Sequence, residues 1–172
     1  MQALDQDVAN LEDAIRLFIQ TMKRPQRWAA IQARAGTEFD RPAAMILHIL
    51  AQSGRDACRV QDLATQLAIE PPSVTRKTQE LERAGYLRRV PDTRDRRAID
   101  LRITPRGRRL AQQLHEAQRS VIMDALKNWK PEDRHQFAQL FQRFSHQIAT
   151  AAIEDKRTHT RKDMHARHHT NS

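Results

Sequence analysis

Leu4, Val8, Leu11, Ile15, Phe18 and Met22 recur at spacings of 4, 3, 4, 3 and 4, which puts all six on one stripe of a long amphipathic helix. Arg24-Pro25 ends or kinks that helix, because proline has no amide proton and clashes with the preceding turn. Residues 26–36 fit no single template, and Gly36 is a stop signal. Asp40-Arg41-Pro42 reads as an N-cap with proline in the first turn. It opens a helix over about 41–52, apolar through Met45, Ile46, Ile49 and Leu50 and closed by Ser53-Gly54. A short helix follows from Val60 to Ala68, with Val60, Leu63, Ala64 and Leu67 turned inward. Pro71-Pro72 can open a helix but cannot sit inside one, so another starts there and ends at Ala84-Gly85. Two helices joined by a tight turn make a helix-turn-helix candidate.

After Gly85 the period changes from 3.6 to 2. Tyr86–Val90 predicts a strand, and Ile99, Leu101 and Ile103 alternate with Asp100 and Arg102 in a second strand with one buried face. Between them lies a charged hairpin loop, Pro91-Asp92-Thr93-Arg94-Asp95-Arg96-Arg97. Thr104-Pro105 then starts a helix with Leu110, Leu114, Ala117, Val121, Ala125 and Leu126 on one face. Pro131-Glu132-Asp133 opens the last helix, whose stripe is Phe137, Leu140, Phe141, Phe144 and Ile148. From about residue 153 the apolar pattern stops, which predicts a disordered basic, histidine-containing tail. No internal repeat is found. The expected class is mainly α with a small β-hairpin (α+β).

Charge adds a partner to this layout. The 172 residues carry 30 Lys+Arg against 21 Asp+Glu, a formal net charge of +9, which attracts polyanions: nucleic acid or an anionic membrane surface. The excess is concentrated. Residues 83–109 hold ten arginines, three aspartates and no lysine, a net of +7. Clustering on the hairpin, not along an amphipathic helix, favours nucleic acid over membrane. Only 4 glycines and one cysteine speak against a glycine-rich phosphate loop and against a disulfide scaffold. The N-terminal residues lack a signal-peptide pattern and no stretch reaches the length of a transmembrane span, so a cytoplasmic location without a membrane partner is expected.

On the helix opening at Pro71-Pro72, Val74, Thr78 and Leu81 share the inward face. Arg76, Gln79 and Arg83 fall opposite, with Ser73 and Thr75 on the N-terminal flank. Such a helix can enter the major groove, where Arg76 could hold guanine bidentately and Ser73 and Thr75 could meet a base or a phosphate. Taken alone, these residues are equally those of a solvated helix face. The hairpin changes the balance, since Arg94, Arg96 and Arg97 at its tip can reach the neighbouring minor groove. Asp92 and Asp95 are read as organisers that pair with neighbouring arginines and shape the loop.

Three runs then make the chain recognisable: Asp62 to Arg76 (DLATQLAIEPPSVTR), Leu81 to Arg89 (LERAGYLRR), and Asp92-Thr-Arg-Asp-Arg-Arg with Leu101-Arg-Ile-Thr-Pro-Arg-Gly. Together, over about residues 60–110, they resemble the MarR (multiple-antibiotic-resistance regulator) family. The resemblance implies a winged helix-turn-helix at 39–103 between two dimerisation regions, 1–38 and 104–152, with the tail at 153–172. It implies a triangular homodimer on a pseudo-palindromic double-stranded DNA operator, regulating transcription, most simply as a repressor. Ser73, Thr75 and Arg76 would be the major-groove contacts, with Gln79 and Arg83 on the same face; Arg94, Arg96 and Arg97 would form the wing, organised by Asp92 and Asp95. Leu4, Val8, Leu11, Ile15, Phe18, Val121, Phe137, Phe141, Phe144 and Ile148 are the expected dimerisation residues, because these stripes are too large for one small winged domain to cover. The resemblance also permits a small aromatic or carboxylate effector, without naming its contacts. Three positions depart from the family pattern: Ala68 where such turns carry glycine, Glu70 in place of a Ser-like residue, and Glu80 where relatives often have a basic residue.

The remaining residues have plainer readings. Cys58 is taken as a structural thiol, the tail histidines as part of a flexible tail, and Trp28, Trp129 and His48 as core or interface. There is no catalytic set, no metal-ligand spacing and no cofactor motif, so an enzyme is not expected. Two rivals stay open: a non-specific architectural DNA-binding protein and a winged-helix protein–protein adaptor.

Overall fold

The structure is a computed structural model that describes residues 2–53, 58–91 and 99–168, with side chains as far as Thr150. Its order is α1 (Gln2–Lys23), α2 (Pro25–Ala35), α3 (Arg41–Gln52), α4 (Val60–Leu67), α5 (Pro71–Arg83), β1 (Leu87–Pro91), β2 (Ile99–Ile103), α6 (Pro105–Leu126) and α7 (Pro131–His168). Two compact units result, Met1–Met123 and Asp124–Ser172. No helix among the described residues is long and apolar enough to cross a membrane. The mainly α class with a two-stranded hairpin is as expected.

Local signals set most boundaries. Pro25 does end α1, and the ambiguous stretch after it is a separate helix, α2, with Pro at its start and a left-handed Gly36 at its end. Asp40 caps α3, its Oδ1 accepting from the Ala43 amide at 3.1 Å. Thr104 caps α6 in the same way, its Oγ1 accepting from the Gly107 amide at 3.0 Å. Gly107 also answers a steric demand, since a Cβ there would overlap the Tyr86 carbonyl oxygen. That close approach docks α6 against the root of the hairpin.

The first unit is built on a buried cluster to which α2 through α6 and the hairpin all contribute. Ile46 and Leu47 from α3, Leu63 from α4, Leu81 from α5 and Leu101 from β2 are fully enclosed. Each such side chain contributes on the order of 1.5–3 kcal/mol from burial. Thr78 is the buried polar side chain, and its hydroxyl is satisfied by the Thr75 carbonyl at 2.9 Å. By contrast α1, which touches α2, buries no residue.

The hairpin pairs antiparallel, Leu87 with Ile103, Arg89 with Leu101 and Pro91 with Ile99. Cys58 adds a one-residue bridge on the far side of β2, exchanging backbone hydrogen bonds with Leu101 at 3.0 and 2.9 Å. Its half-buried side chain packs against the core. The expected buried face of β2 is shorter than predicted. Leu101 and Ile103 are buried, but Ile99 is 54 % exposed because it stands beyond the helices that cover the hairpin root.

The backbone of α7 is helical as far as His168.

Candidate nucleic-acid interface

The helix-turn-helix is α4, the turn Ala68–Glu70, and α5. Ala68 takes the left-handed conformation (φ 52°, ψ 43°), the backbone state its position in the turn predicted. An L-residue there costs about 1–2 kcal/mol relative to glycine, offset by the turn's hydrogen bond from the Ile69 amide to the Ala64 carbonyl at 3.1 Å. Glu70 is exposed and makes no side-chain cap, so it contributes charge at the head of α5 without a hydrogen bond.

Along α5, Val74, Thr78 and Leu81 are buried, as the 3.6-residue period requires. Ser73, Arg76 and Arg83 are exposed; Gln79 and Thr75 are half-buried. The Thr75 hydroxyl donates to the Pro71 carbonyl at 2.9 Å, so its proton is engaged within the helix. An unengaged hydroxyl could donate to a phosphate; this one presents acceptor capacity instead.

Lys77 was not singled out by the sequence. It is mostly covered, and its ammonium donates to Asp40 Oδ2 at 2.7 Å and to Glu80 Oε2 at 2.9 Å. These two hydrogen bonds, the one to Asp40 first, raise its pKa above the usual lysine value. Glu80, the departure from the basic residue of relatives, is thus half of a clamp on Lys77. Nothing local in the sequence pairs Asp40 with a lysine 37 positions later, since the two meet only because α3 packs on α5.

The hairpin root is ordered by charge and aromatic contacts. Arg89 donates to Glu82 at 2.9 Å, tying β1 to α5. Arg106 lies 4.7 Å from the centre of the Tyr86 ring, and Phe39 meets the same ring edge-on at 5.3 Å. Arg88 and Arg102 stand opposite each other across the ladder, a like-charged pair that adds to the positive field at some cost to the free protein. The wing tip, with Asp92, Arg94, Asp95, Arg96 and Arg97, lies outside the described residues.

A cleft of about 640 Å³ opens within the first unit among α2, α3 and α6. Trp28, Ile31 and Met45 give it an apolar wall, and Arg27, Arg41 and Arg119 supply cations; no acidic side chain is among its described lining residues. His48 and His115 also line it, their rings nearly parallel with centres 6.4 Å apart. The sequence reads Trp28 and His48 as core or interface, and the structure places both in the wall of this cleft. The neighbouring helices α2 and α3 and the distant α6 make this wall, which no single stripe announces. Among the described residues no cluster of three or more metal-ligating side chains occurs.

The expected dimerisation residues fall into both units. Leu4, Val8, Leu11 and Phe18 on α1 are exposed, as are Phe137, Phe141 and Ile148 on α7. Ile15, Val121 and Phe144 are half-buried. Within the second unit Phe137 stacks on Phe141, ring centres 5.6 Å apart, and meets Trp129 at a tilt, ring centres 5.3 Å apart.

These features define a winged helix-turn-helix. Residues 39–99 match the sequence profile of the MarR family. Among curated proteins, it is 25 % identical over 92 residues to an uncharacterised HTH-type transcriptional regulator, YwhA, of Bacillus subtilis (strain 168), covering 54 % of this chain and 65 % of that protein. It is 35 % identical over 71 residues to the HTH-type transcriptional regulator FarR of Neisseria gonorrhoeae, covering 41 % of this chain and 47 % of that protein. The match therefore spans between about half and two-thirds of the length of these relatives. In fold, a MarR family protein from Bacillus stearothermophilus superposes with a TM-score of 0.72 at 21 % identity, over 84 % of this chain and 97 % of that one.

Proposed function

We propose that the chain is a DNA-binding transcriptional regulator that acts as a homodimer on a two-fold operator. The observation that carries this reading is α5: a helix buried along Val74, Thr78 and Leu81 presents Ser73, Arg76 and Arg83 outward, beside an arginine-rich hairpin. Arg76 and Arg83 would meet base edges or phosphates of the major groove, and Arg94, Arg96 and Arg97 the adjoining minor groove. The exposed stripes of α1 and α7 would be covered by a second copy. Repression, relieved by an effector in the cleft, is the regulatory mode that fits best. The cleft's arginines and apolar wall suit a small aromatic or apolar carboxylate.

The test is binding to DNA from the gene's own upstream region at physiological salt, against random competitor. A specific site is expected to win by a factor of about 10³ or more, with two-fold protection. Equal loss of binding on all DNA as salt rises would overturn specific regulation and leave the architectural role that the net charge of +9 alone supports. Charge reversal at Arg94 and Arg96 is expected to weaken the operator complex with the dimer intact; unchanged affinity would remove the wing from the interface.

A further inference from the structure

The three-residue segment Glu38-Phe39-Asp40 is bonded to a residue of the cleft wall, Trp28, on one side and meets Lys77 of α5 and Tyr86 at the hairpin root on the other. From α2, the indole Nε1 of Trp28 donates to the Phe39 carbonyl at 3.2 Å. Gln32 Nε2 reaches the carbonyls of Glu38 and Phe39, each at 3.0 Å. The Phe39 ring rests edge-on against Tyr86, the residue that leads into the hairpin. The Asp40 carboxylate is divided: Oδ1 caps α3 and Oδ2 holds Lys77 of α5 at 2.7 Å. Trp28 and Arg41, the residues that grip this segment or follow it, are themselves walls of the cleft.

We propose that Phe39-Asp40 is a relay that makes the placement of the recognition helix depend on occupancy of the cleft, with Asp40 as the positioning residue acting through Lys77. The relay rests on the reading of the cleft as a ligand site and of α5 as the DNA helix. An anion drawn to Arg41 and stacked on Trp28 disturbs the indole that holds the Phe39 carbonyl. The next residue is Asp40, and its carboxylate holds Lys77, the direct neighbour of Arg76. Because α3 packs on α5, a shift of Asp40 moves the point at which Lys77 ties α5 down, one residue from Arg76. No glycine interrupts residues 37–42 to absorb the motion. A ligand shifts the protein only by its differential affinity for two arrangements, and this relay supplies the contact that differs between them.

The probe is 1-anilinonaphthalene-8-sulfonate, an aromatic sulfonate whose fluorescence reports its own binding. Arg119→Glu is expected to weaken dye binding, which locates the dye in the cleft. Saturating dye is expected to weaken the wild-type operator complex by about tenfold, a typical coupling between sites. In Asp40→Asn the cap oxygen and side-chain volume remain while the negative charge facing Lys77 is lost. Dye affinity should stay near wild type and the thermal midpoint should fall only slightly, while the effect of dye on DNA binding falls below about twofold. Lys77→Met is expected to show the same loss of coupling, and the double variant no further loss. Wild-type coupling in both single variants, or cleft-bound dye without effect on wild-type DNA binding, would overturn the relay alone. Dye binding indifferent to Arg119→Glu would overturn the cleft reading, and the relay with it.

Discussion

Helices α1 and α5 are both amphipathic, yet they spend their apolar faces differently. In α5, Val74, Thr78 and Leu81 are enclosed by the same chain, and the polar face is left outward. In α1, Leu4, Val8, Leu11 and Phe18 remain between 46 and 66 % exposed, and no residue is buried. A periodic apolar stripe therefore says that a helix will be covered, not by what. For α5 the cover is the winged core. For α1 it has to come from outside the first unit's own packing, because about 1.5–3 kcal/mol per large side chain is forgone while the stripe faces water.

The sharpest way to break this contrast is to remove residues 1–22. Sedimentation analysis is expected to show loss of the dimer or of solubility; a soluble dimer would place the interface elsewhere. A smaller blow compares one leucine from each region. Leu63→Ala should cost about 2–5 kcal/mol in denaturant unfolding, because a fully enclosed side chain leaves a cavity. Leu11→Ala should instead make the unfolding midpoint depend more steeply on protein concentration. If Leu63→Ala were also concentration-dependent and Leu11→Ala were not, the assignment of the two faces would be reversed.

Smaller still is the left-handed Ala68 in the turn before α5. Ala68→Gly removes the steric strain but loosens the unfolded chain, for a net gain of about 0.5–1 kcal/mol. A thermal midpoint that falls would refute the strain. The smallest effect is electrostatic. Lys77 has a folded pKa raised above 10.5 by Asp40 and Glu80, so its stabilisation is fully present below that value and is lost as pH rises through the raised pKa. Wild type should melt above Lys77→Met at pH 8, and the gap should close in alkaline solution above pH 10.5. A gap independent of pH would mean that packing of the lysine stem, not its charge, holds α3 to α5.

Much of the fold around the candidate interface was legible because it is local. Asp40 as cap, Pro71-Pro72 as helix start, Gly85 as stop and the alternation at Leu101 and Ile103 each follow from one residue type in one backbone state. Ser73, Arg76 and Arg83 were placed outward by the 3.6-residue period alone, and the structure leaves them exposed. Ile99 was misjudged for a related reason: alternation tells which side a residue faces, but not how far along a strand the covering helices extend.

What the sequence determined by itself is the order of elements, their caps and breaks, and the outward face of the recognition helix, all properties of short windows under fixed backbone geometry. What only the tertiary structure decided is which distant residues meet. The approach of α3 to α5 brings Asp40 to Lys77, the packing of α2, α3 and α6 gathers three arginines and two histidines around one cleft, and the docking of α6 on Tyr86 leaves Gly107 no room for a side chain. Those contacts arise from packing between segments tens of residues apart, and no periodicity along the chain encodes a separation of that kind.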